Sequence, residues 1–236
     1  MNPHRSLFYL TSAPLWKVLT ILFCLAGVQL GGALWLLQEP DILVDTLLDH
    51  LLYRWSAAVA LALVMAVLLY TTGGYNAGYT MARLRLKAKT QFRWFMLRGV
   101  LMFFLCWAVQ LGIVLGVCQI YAARQAELSA GNQFLLLASY SSSYFHRLLP
   151  LADGLQWIYT IAIYTLMGIA SGIGAYFSFS GKRTLWPPVV CLCTGLDRTT
   201  LGDYSWSFIL VIALILGCFV SLIHQPVVRE EAMSCT

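Results

Sequence analysis

The chain has 236 residues, of which 60% are apolar and 11% charged, and its mean hydropathy is +0.75. An ordinary soluble domain carries about 25% charged residues, so this composition excludes a soluble globular protein and points to a chain built for lipid. The net charge of +5 is then a matter of which side of a membrane each basic residue occupies, and no nucleic-acid partner is expected.

A crossing of the hydrocarbon core needs about 20 apolar residues. The first such run, Val18 to Leu37, follows Arg5 and Lys17. It is too long for a signal-peptide core and no small-residue cleavage site follows it, so a retained helix is predicted. Further spans are predicted from Trp55 to about Thr72, from Gly99 to Tyr121, from Leu155 to Phe179 and from Trp206 to Ile223. Between the last two lies Leu185 to Leu196, which carries Pro187 and Pro188 and reaches only about 18 Å as a helix. It reads as a short crossing or a re-entrant segment. The expected fold is thus all-α, a polytopic bundle of six transmembrane helices with a short fifth, and residues 1–236 form one domain. The stretch from Ala122 to Gly154 is the longest external loop, and an interfacial helix lying outside the membrane suits its apolar piece, Gln133 to Ala138.

Both termini are expected in the cytoplasm. With that orientation eleven of the fifteen Lys and Arg residues lie inside, and only Arg54, Arg124, Arg147 and Arg198 lie outside. Seven of the eight tryptophans stand at or near proposed helix ends, where an indole prefers the interface; Trp107 alone is well inside a span.

Several chemistries have no residues to carry them. The predicted spans hold no ionisable side chain, which speaks against an ion-coupled pump or a cation-selective pore. Their strongest polar groups, Gln29, Gln110 and Gln119, are read as hydrogen-bonding between helices. Gly181-Lys182-Arg183-Thr184 lacks the first glycine and the hydroxyl residue of a phosphate-cradling loop. His4, His50, His146 and His224 are isolated, and Cys191 and Cys193 find no further ligand cluster, so no catalytic site, cofactor or metal is expected. Cys24, Cys106, Cys118 and Cys218 lie in apolar runs as packing residues. Gly27 with Gly31, Gly112 with Gly116 and Gly168 with Gly172 have the spacing that lets helices approach closely, within the subunit first and between subunits second.

One segment carries a functional signal. From Tyr79 to Arg98 there are six basic residues and no acid, following glycines 73, 74 and 78. Thr80 can cap a short helix that presents Met81, Leu84 and Lys87 for docking against a partner. This arrangement resembles the membrane permeases of type-2 ATP-binding-cassette transporters. In that family a short cytoplasmic coupling helix follows the second span, often with Tyr-Thr and then Arg-Leu, as at Tyr79, Thr80, Arg83 and Leu84. The resemblance extends to the six-span topology, and departs from the family in the long loop after the third span and the Pro-Pro fifth segment.

The resemblance implies a permease subunit of an exporter in a bacterial plasma membrane. It would itself be no enzyme. Its partners would be a separate cytoplasmic ATPase, a second permease subunit and the surrounding lipid, and its cargo amphiphilic, lipid-like or peptide. Tyr79, Thr80, Met81, Arg83, Leu84, Arg85 and Lys87 would dock the ATPase, Leu84 by apolar burial and Arg83 at the groove's edge. The readings that compete with it are a membrane scaffold or sensor subunit using the same basic loop, and a passive channel.

Overall fold

A computed structural model describes residues 14–38, 43–70, 88–124, 134–151, 154–179, 186–196 and 204–223. In hydrocarbon every backbone N–H and C=O must be paired within the protein, and the apolar runs meet that demand as helices: α1 (Leu15–Leu36), α2 (Val44–Leu48), α3 (Leu51–Tyr70), α4 (Ala88–Arg124), α5 (Phe134–Ser141), α6 (Ser143–Leu148), α7 (Gly154–Phe179), α8 (Trp186–Leu196) and α9 (Tyr204–Ile223). There is no strand among the described residues. Four helical stretches there are long and apolar enough to cross a membrane: Leu15–Leu36, Val44–Leu69, Lys89–Arg124 and Gly154–Ser178. Residues 209–221 of α9 form a shorter apolar helix.

The bundle is built on an antiparallel pair, α4 and α7. Phe92 meets Tyr176 edge to face with ring centroids 5.1 Å apart, and at the other end of the seam Trp107 meets Trp157 edge to face and Tyr164 at a tilt, each with centroids 6.0 Å apart. Midway, Gly168 and Gly172 lie directly on the α4 backbone: a Cβ on Gly172 would sit 2.6 Å from both Met96 Cα and Phe95 O. This is the close approach expected of that glycine pair. The other two pairs differ from expectation. Among the described residues, Gly27, Gly31, Gly112 and Gly116 have nothing within 4 Å of where a Cβ would stand, so packing between the described helices does not use them.

Helix α4 begins at Ala88, eleven residues before the predicted start at Gly99, and runs unbroken for 37 residues. No proline interrupts it, and Gly99 is held helical by its place against Gly168. As a consequence Arg98 stands inside a packed helix and is only 7% exposed. Arg98 thus lies one residue before the predicted third span, within the same continuous helix. The short helix α8 has 11 residues, about 17 Å. It runs antiparallel to α7, from Pro187 beside Gly174 to the Cys191 thiol, which faces Met167 O at 3.7 Å. It therefore covers only part of its neighbour.

Candidate functional site

Four helices bring polar side chains to one buried place. Gln29 of α1 donates from Nε2 to Ser56 Oγ at 2.8 Å and to Tyr53 O at 3.2 Å, both on α3. The Tyr53 hydroxyl returns a bond to Gln29 O at 3.3 Å. From α4, Gln110 Nε2 donates to Gln29 Oε1 at 3.0 Å and to the hydroxyl of Tyr144. Gln29 and Tyr53 are completely buried, and Gln110 and Tyr144 nearly so. An unpaired amide in hydrocarbon is costly, so the two glutamines choose each other and the nearest hydroxyls. Gln119, the third glutamine of the sequence reading, is exposed instead.

Tyr144 is the unexpected member, because it belongs to the loop expected outside the membrane. The structure folds 134–151 into the bundle as the two short helices α5 and α6. Trp107 Nε1 donates to Leu148 O at 3.1 Å, and Phe145 and Leu148 join the apolar core. Polar chemistry makes this possible. Ser142 caps α6 by accepting from Phe145 N at 3.2 Å, and Asp49, in the turn between α2 and α3, accepts from Tyr144 N, Ser142 Oγ and Ser143 N at 3.0 to 3.2 Å. A carboxylate at a helix N-terminus is favourably placed against the helix dipole. Arg54 completes the anchor, with Nη2 3.1 Å from Asp49 Oδ1 and 2.7 Å from Ser143 Oγ.

Beside the cluster is a cavity of about 30 Å³. Leu22, Leu25, Ala57, Ala60 and Cys106 make its apolar wall, and Gln110, Tyr144, Arg147 and Tyr164 its polar one. That is room for one or two waters with polar partners.

No protein-family model, curated protein or solved structure matches this chain. The functional reading therefore rests on its own residues.

The sequence-predicted docking residues Tyr79, Thr80, Met81, Arg83, Leu84, Arg85 and Lys87 lie outside the described residues. Next to them α4 presents Lys89 and Arg93 as exposed side chains at its start. Cys106, Cys118, Cys191 and Cys218 are buried, whereas Cys24 and Cys193 are exposed. No group of three or more His, Cys, Asp or Glu side chains able to hold a metal occurs among the described residues. Sequence reasoning missed Tyr53, Ser56, Tyr144 and Asp49. Only Ser142, a capping residue ahead of aromatic ones, could have marked the start of α6.

Proposed function

We propose that this chain is the membrane permease subunit of an exporter driven by a separate ATP-binding-cassette ATPase, with six crossings, α8 the short fifth, and both termini in the cytoplasm of a bacterial cell. The single observation that carries the reading is the acid-free basic segment from Tyr79 to Arg98, whose Tyr-Thr and Arg-Leu resemble the coupling-helix pattern of type-2 cassette permeases. Its geometry supports the reading in one respect. The segment leads straight into α4, a single rod of about 55 Å that carries Phe92, Gln110 and Arg124 on one axis. From Ala88 onward a displacement of α4 would be carried along one continuous helix to the glutamine cluster and the inserted α5–α6 hairpin. Gln29 and Gln110 spend their amide donors on protein partners, which argues against the passive channel, since its pore needs them open.

Replacing Leu84 by aspartate tests the proposal. Burial of one leucine is worth about 1.5 to 3 kcal/mol, so L84D should weaken recovery of the cassette ATPase and lower ATP hydrolysis by the purified complex, at unchanged membrane abundance and orientation. Unaltered recovery and hydrolysis would reject the coupling segment and leave the scaffold reading.

A further inference from the structure

Arg98 is a buried cation with an incomplete set of partners. Its Nη2 donates to Leu68 O at 3.3 Å, in the last turn of α3, where a positive charge suits the carbonyl end of the helix. The guanidinium carbon stands 5.9 Å from the centroid of the Phe95 ring. Nη1 is enclosed and meets no hydrogen-bond acceptor among the described residues. A buried charge without a counter-charge is strongly destabilising.

The chain offers Arg98 little choice of carboxylate. There is no Asp or Glu from residue 50 to 126, nor from 154 to 196. The two acids among the described residues, Asp45 and Asp49, are at the opposite end of α3. Among the described residues, then, no carboxylate stands at this end of the bundle to meet Arg98.

The depth of Arg98 says what kind of anion suits it. The contacts of Gln29 with Ser56 and Gln110 put three helices on one level. Twelve residues along each helix from that level, toward the Ala88 end, stand Lys17, Leu68 and Arg98, a drop of about 18 Å. Trp16 and Lys17 are exposed at this new level, and Arg93 and Trp94 follow within about one turn of Arg98. An exposed indole at Trp16, a half-buried one at Trp94 and the exposed cations Lys17 and Arg93 together mark the headgroup layer of a bilayer. We propose that Arg98 binds the phosphate of a membrane phospholipid in the leaflet at the Ala88 end, its long stem turning Nη1 to a phosphate oxygen while Nη2 keeps Leu68. The bound lipid would fasten the end of α3 to α4 just where the basic segment enters the bundle. The assignment is independent of the exporter reading.

The test is native mass spectrometry of the detergent-purified full chain, titrated with phosphatidylglycerol or with diacylglycerol of the same acyl chains. Wild type should retain one phosphatidylglycerol and bind diacylglycerol about tenfold more weakly, which is about 1.4 kcal/mol. R98Q should lose the retained lipid, R98K should keep part of it, and R93Q, altered at an exposed cation, should keep it all. Equal retention by wild type and R98Q would overturn the site, and is also the result if Glu230 or Glu231 neutralises Arg98. Should R98Q fail to fold, equal binding of the two lipids by wild type would overturn it just as well. Displacement of the lipid by millimolar inorganic phosphate would reassign Arg98 to a soluble anion and end the lipid proposal.

Discussion

Gln110 shows how a neutral side chain organises a membrane bundle. One amide nitrogen satisfies the carbonyl of Gln29 and the hydroxyl of Tyr144, so α1, α4 and α6 are tied through a single residue. Gln110→Leu puts an apolar side chain of similar size in place of the amide and strands both partners. The expected loss is about 1 to 3 kcal/mol, the cost of leaving buried polar groups unpaired, read as a lower midpoint in a denaturing-detergent titration. The double variant Q29L/Q110L should lose less than the sum of the two single ones, because removing both partners removes the orphan. Additive losses would mean that the two amides act independently. That glutamines hold these helices together was legible from their type and their place in apolar runs. That they hold each other was not, since residues 81 apart in the chain carry no mutual signal.

Among the elements, the three glycine pairs have one spacing and different environments. At Gly172 a Cβ would meet the α4 backbone, which cannot step aside, whereas at Gly112 it would meet nothing among the described residues. Gly172→Leu should therefore force α4 and α7 apart and cost more than the about 1 to 3 kcal/mol typical of an overpacked core. Gly112→Ala, at an open helical site, should be neutral or slightly stabilising, because alanine is the better helix former by about 1 kcal/mol. Both are measured by the same titration, and an equal effect at the two glycines would contradict the packing described. Spacing identified a surface able to accept a backbone; which surfaces receive one depends on how the helices are arranged around one another. The same holds for α6. The sequence suggested an interfacial helix outside the membrane at Gln133 to Ala138 and none at α6, whereas Asp49, Arg54 and Trp107 hold α6 against the bundle by offering partners for its backbone and side chains.

For the whole molecule the first question is which end faces the cytoplasm. On the proposed six-span topology the basic residues would divide eleven to four in favour of the Ala88 end, and acids, which weigh little in orientation, are absent from the segment that leads into it. A cysteine at Ala88 should react with a membrane-impermeant thiol reagent in inverted vesicles and not in intact cells. Labelling in intact cells would reverse the orientation and remove the proposed docking of an ATPase at the same time.

The sequence by itself determined that this protein is a set of apolar helices, because a membrane leaves the backbone no other way to pair its polar groups and because runs of that length and composition are visible in one dimension. It also determined where positive charge is concentrated. Tertiary structure decided which polar side chains meet, that the hairpin of α5 and α6 enters the bundle, that Arg98 is enclosed, and which glycine pair bears a neighbouring helix. These are pairings between residues far apart in the chain, and in lipid, where apolar surface is equally content against a tail or a helix, a few hydrogen bonds and close backbone contacts choose among the arrangements.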